Sequence, residues 1–145
     1  MPIALHFSAR ELAWAWLAAT VLSGAPSTLW ALHAGGDVGE ATWAAGAMLL
    51  AADSPRPWLF AAAALVHGAV SALWTLVAGL LLPRRHPAGW ALVMAAAIGL
   101  LDLRVIAPAF FPAVAALAFW PQMADHLMWG ACLGVSLQVS ILSRK

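Results

Sequence analysis

The sequence predicts an all-α protein: one polytopic membrane domain, residues 1–145, in which four transmembrane helices form a bundle. The first observation behind this prediction is composition, because 64% of the 145 residues are hydrophobic and only 9% are charged. A soluble domain carries about 25% charged residues, so this chain lacks the polar surface that water requires. The second is the mean hydropathy of +0.89. The third is that apolar residues form four runs of about 20, the length that crosses a hydrocarbon core of about 30 Å.

The four runs are separated by polar, basic or proline-rich connections. The first run contains Pro26, which removes a backbone donor and is expected to kink the helix near the carbonyl of Leu22. The second and third runs flank a short basic turn at residues 83–87, so we expect antiparallel neighbouring helices there. The predicted spans are residues 12–32, 58–82, 88–107 and 122–142.

The connections after the first and third spans each hold a short segment that we expect to lie at the membrane surface or to re-enter the membrane. Residues 41–52 are apolar but too short to span, and Glu40 precedes them at the positive end of the expected helix. Residues 108–121 are uncharged and rich in aromatic side chains, and their three prolines argue against one continuous helix. These prolines are Pro108, Pro112 and Pro121.

The distribution of basic residues predicts the membrane topology, since Lys and Arg concentrate in the short cytoplasmic connections. The side that holds the N-terminus, the 83–87 turn and the C-terminus carries Arg10, Arg84, Arg85, Arg144 and Lys145. The opposite side carries Arg56 and Arg104. We therefore predict a multi-pass protein of the bacterial inner membrane with both termini in the cytoplasm.

Five polar residues in or beside the spans form a candidate binding cluster. Asp102 and Arg104 lie near the end of the third span, Asp125 and His126 near the start of the fourth, and His67 in the second. The topology brings all five towards one level of the outer leaflet. Charge is costly in hydrocarbon, so these residues need partners or a polar cavity. In one interpretation Arg104 pairs with Asp125, while Asp102 caps a helix, reaches the interface or bonds His126. In a second the cluster binds a solute or an ion, and in a third it is a water-exposed edge with no role.

Small and polar residues recur at four-residue intervals within the spans. Steps of four drift only about 40° around a helix, so each series occupies one face, which we expect to point into the bundle. The series are His67, Ser71, Thr75 and Gly79 in the second span, His126, Gly130, Gly134 and Gln138 in the fourth, and Thr20, Gly24 and Thr28 in the first. Gly130 and Gly134 also form a G-x-x-x-G motif, which serves either packing within the chain or dimerisation.

The sequence proposes no enzyme chemistry and no cofactor. Catalytic motifs such as a nucleophile elbow, a P-loop or H-E-x-x-H do not occur. Haem ligation by His67 and His126 requires equal depth in facing helices, and zinc binding by these two with Asp125 lacks a recognised spacing. Cys132 is the only cysteine, so no internal disulfide forms. The basic residues form no continuous face for nucleic acid.

Two classes of function remain, both with the lipid bilayer as the surrounding partner. The first is a non-enzymatic membrane protein whose polar cluster organises its helices, as a homo-oligomer or an accessory subunit of a larger membrane complex. The second is a small transporter or solute-binding protein that uses the cluster. A stoichiometric partner would favour the first class, whereas a cleft that reaches His67 would favour the second.

Overall fold

Helices account for every regular element in the part of the chain that is described. The computed structural model describes residues 5–143, and no strand occurs among them. The predicted all-α class is confirmed. Arg144 and Lys145, which contribute to the predicted topology, lie outside the described residues. In chain order the elements are α1 (Ala9–Leu22), α2 (Ala25–Ala34), α3 (Glu40–Gly46), α4 (Arg56–Leu81), α5 (Pro87–Leu101), a π-helical turn (Asp102–Ile106), α6 (Ala107–Phe110), α7 (Pro112–Ala115) and α8 (Phe119–Leu142).

Within residues 5–143, three helical segments are long and apolar enough to cross a membrane. They are Ala9–Ala34, which combines α1 and α2, Arg56–Leu81, and Pro87–Phe110, which runs from α5 through the π turn into α6. Each lies within about one turn of a predicted span. Helix α8 occupies the place of the fourth predicted span and has 24 residues, but polar side chains lower its mean hydropathy. These side chains are Gln122, Asp125, His126 and Gln138.

The first span is broken rather than merely kinked. Helix α1 ends at Leu22, and α2 begins at Ala25 with Pro26 in its first turn. Proline is well accommodated there, because the first N–H groups of a helix have no partner within the helix. The break therefore leaves the N–H of Ser27 without a partner in its own helix, inside the apolar Ala9–Ala34 segment.

Gly24 lies at this break and does not pack against another helix, so its predicted packing role is wrong. A Cβ atom at Gly24 would meet nothing within 4 Å. Instead its carbonyl accepts hydrogen bonds from the hydroxyl groups of Ser27 (3.3 Å) and Thr28 (2.9 Å). The regular four-residue spacing did not hold across the break, which changes the direction of the helix face.

The third span continues past Pro108, where the sequence predicted its end. A π turn at Asp102–Ile106 precedes this proline, and the N–H of Ala107 donates to the carbonyl of Asp102. A π turn holds one more residue than an α turn. Pro108 has no N–H to donate, so it fits beside a turn whose hydrogen-bond pattern is already interrupted. The helix then ends at Phe110.

Close packing centres on α8, which contacts α5, α1 and α2. A Cβ atom at Gly130 would lie 2.8 Å from the carbonyl oxygen of Ala91, and one at Gly134 would lie 2.6 Å from Cα of Ala88. The G-x-x-x-G motif thus joins α8 to α5 within the chain. Helix α4 packs instead on α1 and α3, and α4 with α5 is not among the closely packed pairs, although a short turn joins them.

The two predicted polar faces point into the bundle. In α4, Ser71, Thr75 and Gly79 are buried, and a Cβ atom at Gly79 would lie 2.9 Å from Cδ1 of Leu12. The side chain of His67 has a large solvent-accessible area. Its imidazole nevertheless makes a hydrogen bond to α1 and lines a cleft between the helices, which is described below. In α8, Gly130 and Gly134 are buried, while His126 and Gln138 are partly buried.

The two predicted short segments each contain a short helix. Helix α3 is shorter than the predicted segment and packs on α4, where a Cβ atom at Gly46 would lie 2.8 Å from Cα of Leu59. The loop before α3 is fixed by Asp37, whose carboxylate accepts the N–H of Gly39 at 2.8 Å and the indole N–H of Trp43 at 3.0 Å. The hydrogen bond from Gly39, then that from Trp43, lowers the pKa of Asp37. Helix α7 contacts α3.

The packing of α8 on α5 predicts opposite effects for two glycine-to-alanine changes. Gly130→Ala should lower the free energy of unfolding by about 1–3 kcal/mol, because the added methyl group overpacks the α5 contact. Gly68→Ala has open space around the added methyl group. It should raise the free energy of unfolding by up to about 1 kcal/mol through helix propensity. Thermal unfolding in mild detergent, followed by circular dichroism, measures both; equal midpoints for the two variants would contradict the tight contact.

Candidate functional site

A cleft of about 610 Å³ separates α4 from α8 and the end of α5. The α1–α2 break forms one wall, and α3 contributes Ala41, Thr42 and Ala45. The cleft arises because α4 and α8 both pack on α1 but are not closely packed against each other. Four of the five residues of the predicted cluster line it, namely His67, Asp102, Asp125 and His126. The cleft thus brings the residues of the predicted cluster together, with one exception.

The exception is Arg104, which does not pair with Asp125. Its guanidinium lies 4.2 Å from the ring centroid of Phe119, and it does not line the cleft. Within residues 5–143, no ion pair joins Arg104 to a carboxylate. The prediction relied on opposite charge alone. Arg104 instead has a cation–π partner, and Asp125 has a backbone partner.

Asp125 compensates the broken helix. Its Oδ1 accepts the N–H of Ser27 at 2.9 Å. Ser27 is in the first turn of α2, where the N–H groups lack partners within the helix and the helix end carries partial positive charge. The carboxylate of Asp125 on α8 thus caps the N-terminus of α2, as a side chain at the N-cap position normally does. The same bond links α8 to the first span.

Asp102 and His126 share one proton. Nδ1 of His126 lies 2.9 Å from the carbonyl oxygen of Gln122, and that oxygen can only accept, so Nδ1 carries a hydrogen. Nε2 lies 3.2 Å from Oδ2 of Asp102. A hydrogen bond between these two atoms requires one proton, held either by the imidazole or by the carboxyl group. In either form the pair is neutral overall.

His67 faces this pair from α4. Its Nε2 lies 2.9 Å from the carbonyl oxygen of Thr20 and 3.1 Å from Oγ of Ser23. The carbonyl of Thr20 requires a donor, so the hydrogen of a neutral ring is on Nε2. Nδ1 is then the acceptor, and it has no hydrogen-bond partner within the described residues. The last turn of α1 thus fixes the orientation of the imidazole at the edge of the cleft.

Ser71 closes the inner end of the cleft. Its Oγ accepts the indole N–H of Trp129 at 2.8 Å and lies 2.7 Å from Oγ1 of Thr20. Three helices therefore meet at one buried hydroxyl group. Trp129 is itself buried, and with Trp74 it supplies an aromatic boundary to the polar part of the cleft.

Sequence reasoning missed Ser23, Ser27 and the aromatic residues of this cleft. Ser23 and Ser27 could have been found from the serine, glycine and proline that cluster around the break. Trp129 follows His126 by three residues, which places both on nearly the same face of α8. That spacing was a usable signal for the tryptophan.

A second polar network, at the other end of the bundle, was also missed. The carboxylate of Glu11 is buried and accepts the N–H of Ser8 at 2.7 Å and the hydroxyl of Ser140 at 3.1 Å. Arg84 lies 3.6 Å from it. The network connects α1, α8 and the turn before α5. The spacing S-x-x-E from Ser8 to Glu11 is the capping-box signal that could have identified its first half.

The arrangement offers charged and hydrogen-bonding groups around one cleft. Two carboxyl groups and two imidazoles converge on the cleft, and neither Arg nor Lys lines it among the described residues. The described part of the chain contains no group of three His, Cys, Asp or Glu side chains placed to hold a metal ion. Cys132 has no role in the cleft. The cleft can hold a small polar molecule by hydrogen bonds and charge, and it can hold a proton.

The link between Asp125 and Ser27 predicts a difference between two substitutions. Asp125→Asn keeps an acceptor for the N–H of Ser27 and should leave the free energy of unfolding nearly unchanged. Asp125→Leu removes the acceptor and should lower it by about 1–3 kcal/mol, since the buried N–H loses its partner. Thermal unfolding of the purified variants in detergent measures this. Equal losses for Asn and Leu would show that charge, rather than the hydrogen bond, holds the two helices together.

No protein-family model matches the chain, and neither curated proteins nor solved structures include a significantly similar one.

Proposed function

We propose that this protein is a small multi-pass protein of the bacterial inner membrane that binds a small solute within the membrane, as a transporter or a solute-binding protein. The cleft between α4 and α8 is the observation that carries the proposal. Its volume of about 610 Å³ lies within the range of small-molecule sites, roughly 300–1,000 Å³. Its walls are mostly apolar with a few convergent polar groups, the usual composition of such sites.

The placement of α8 as a fourth span supports an intramembrane position for the cleft. A 24-residue helix rises about 36 Å, enough to cross the hydrocarbon core. Its exposed large side chains are apolar, while its polar residues face the cleft or other helices. These exposed residues are Trp120, Leu127, Met128, Val135, Val139 and Leu142. With four spans, α3 and α7 lie at the outer surface, in the interfacial or re-entrant position.

Two departures from regular helix geometry border the cleft and favour a binding role. The α1–α2 break and the π turn at Asp102–Ile106 both interrupt backbone hydrogen bonds inside apolar sequence. Irregular backbone at membrane depth is tolerated where it is buried in protein or lines a cavity. Broken helices and π turns are both typical of binding sites in membrane proteins. A bundle with a purely structural role could be built from regular helices alone.

A second candidate function is favoured by the hydrogen bonds of the same residues. Asp125 joins α8 to α2, and Asp102 joins the π turn to His126 on α8. These bonds organise the helices whether or not a solute binds. A protein with this role alone would act as a homo-oligomer or as an accessory subunit of a larger membrane complex. Recovery of a stoichiometric partner in mild detergent would support it.

Cysteine accessibility tests whether water reaches the cleft. In a Cys132→Ala background, Ala64→Cys places a thiol on the cleft wall, and Ala61→Cys places one outside it and one turn nearer the end of α4 at Arg56. A thiol must ionise to react, so only one in contact with water should be modified. We expect an impermeant methanethiosulfonate added to spheroplasts to modify Ala64→Cys at least about tenfold faster than Ala61→Cys, the factor set by a 1.4 kcal/mol difference. Equal rates would leave the structural role as the better explanation.

The membrane orientation is tested by reporter fusions. The described basic residues Arg10, Arg84 and Arg85 lie at one end of the bundle, and Arg56 and Arg104 at the other, which favours cytoplasmic termini. A C-terminal green fluorescent protein should be fluorescent, and a C-terminal alkaline phosphatase inactive. Phosphatase activity at the C-terminus, with a fusion in the 83–87 turn as the matched control, would contradict the proposed topology.

A further inference from the structure

We propose that the occupant of the cleft is an organic monovalent cation, an ammonium group on an apolar body, and that it binds in exchange for the proton shared by Asp102 and His126. This inference rests on the proposed function, because it requires a cleft that solutes reach. It adds the substrate class and the coupling to a proton.

The charges around the cleft favour a cation. Asp102 and Asp125 both line it, whereas the guanidinium of Arg104 does not and lies over the ring of Phe119. A smaller pocket of about 40 Å³ adjoins the cleft and shares Ser27, Ala41 and Gln122 with it. Asp37 and Glu40 line that pocket, although Asp37 is already paired with Arg56 at 3.3 Å. An anion would meet carboxylates and, among the described lining residues, neither Arg nor Lys.

The size and walls of the cleft favour an organic cation over a metal ion. Its volume of about 610 Å³ far exceeds that of an inorganic ion, and the described residues offer no set of three metal-binding groups. Phe60, Trp74 and Trp129 line it. Aromatic rings attract cations through their electron-rich faces, and indole does so best. An apolar body would also displace water from these walls.

The shared proton provides the exchange. Nδ1 of His126 keeps its hydrogen on the carbonyl of Gln122 throughout, so the proton between Nε2 and Oδ2 of Asp102 is the one that can leave. When an ammonium group pairs with Asp102, this proton passes to water in the cleft. Asp102 is then a carboxylate paired with the cation, and His126 is a neutral imidazole. One positive charge enters and one leaves, so no bond other than that to the proton is broken.

Constant charge is the physical reason for the coupling. A net charge is expensive in a low-dielectric region, so a site that releases a proton as it accepts a cation avoids that cost. The titratable groups that face the pair are Asp125 on α8 and His67 on α4. The walls from α1, α2 and α3 contribute hydroxyl groups and apolar side chains. Asp125 is engaged by the N–H of Ser27, which leaves Asp102 as the exchangeable carboxyl group.

Titration calorimetry on the purified protein tests the proposal, with benzyltrimethylammonium as the probe. Measurement in two buffers of different ionisation enthalpy gives the number of protons released for each cation bound. We expect one proton near neutral pH. Because the proton competes with the cation, the apparent Kd should fall about tenfold for each unit that the pH rises while the pair remains protonated. Binding without proton release, or no binding, overturns the exchange.

Two carboxyl-to-amide changes separate the site from general charge effects. Asp102→Asn keeps a hydrogen-bonding group beside His126 but removes the carboxylate. It should weaken binding at least about tenfold and abolish proton release, as expected for the loss of one charge-assisted contact. Asp53→Asn makes the same change on an exposed loop outside the cleft and should alter neither. The proton count on the unaltered protein stays decisive if Asp102→Asn does not fold.

Neopentylbenzene, the uncharged isostere of the probe, distinguishes this inference from the proposed function. Benzyltrimethylammonium should protect Ala64→Cys from modification, whereas neopentylbenzene should protect it at least about tenfold less well. Equal protection by both would overturn the cation inference and leave the solute-binding cleft standing. If Ala64→Cys is no more reactive than Ala61→Cys without any probe, the proposed function itself fails.

Discussion

The structure depends on one constraint: a backbone N–H inside a membrane must have a partner. Pro26 and the break before it leave the N–H of Ser27 without one in its own helix. Asp125 supplies that partner from α8 at 2.9 Å. This bond links α8 to the first span at the level of the break. His126 follows Asp125 by one residue and therefore lies close to the same level, as does Asp102, which bonds to His126.

The cleft is a consequence of unequal helix packing. Helix α8 approaches α5 closely because Gly130 and Gly134 have no side chains. No comparable series of glycines joins α4 to α8, and there the contact is made by a large residue, Trp129, whose indole reaches Ser71. Small residues in membrane helices allow backbones to approach, and large ones hold them apart. Helix α8 is therefore packed tightly against α5 on one side and is separated from α4 by the cleft on the other.

Much of this architecture is readable from the sequence, because the bilayer imposes length and composition on every span. The glycines of α8 and the four titratable residues of the cleft were also within reach, since helical spacing and depth depend only on residue number. The sequence did not reveal which side chains and backbone groups pair with one another. Arg104 and Asp125 are complementary in charge, but the sequence does not reveal that Phe119 lies under the guanidinium or that a backbone N–H is available to Asp125.

The helix ends were harder to predict than the spans for a related reason. Pro108 has a strong local tendency to end a helix, yet the π turn before it carries the chain through to Phe110. Gly24 fits a packing series only if the helix is continuous, and the break at Ser23 makes it discontinuous. Such interruptions depend on contacts from other helices, which a single stretch of sequence does not contain.

The attachment of α4 near its Leu81 end has a mechanical consequence. Near that end, the N–H of His6 donates to the carbonyl of Gly79 at 2.8 Å, and Arg84 donates to the carbonyl of His6 at 2.8 Å. These bonds form a pivot. His67 lies about 18 Å further along the helix, at the rise of 1.5 Å per residue. At that distance from the pivot, the hydrogen bonds of His67 to Thr20 and Ser23 fasten α4 to α1. These two bonds would have to break before a change in the tilt of α4 could widen the cleft there.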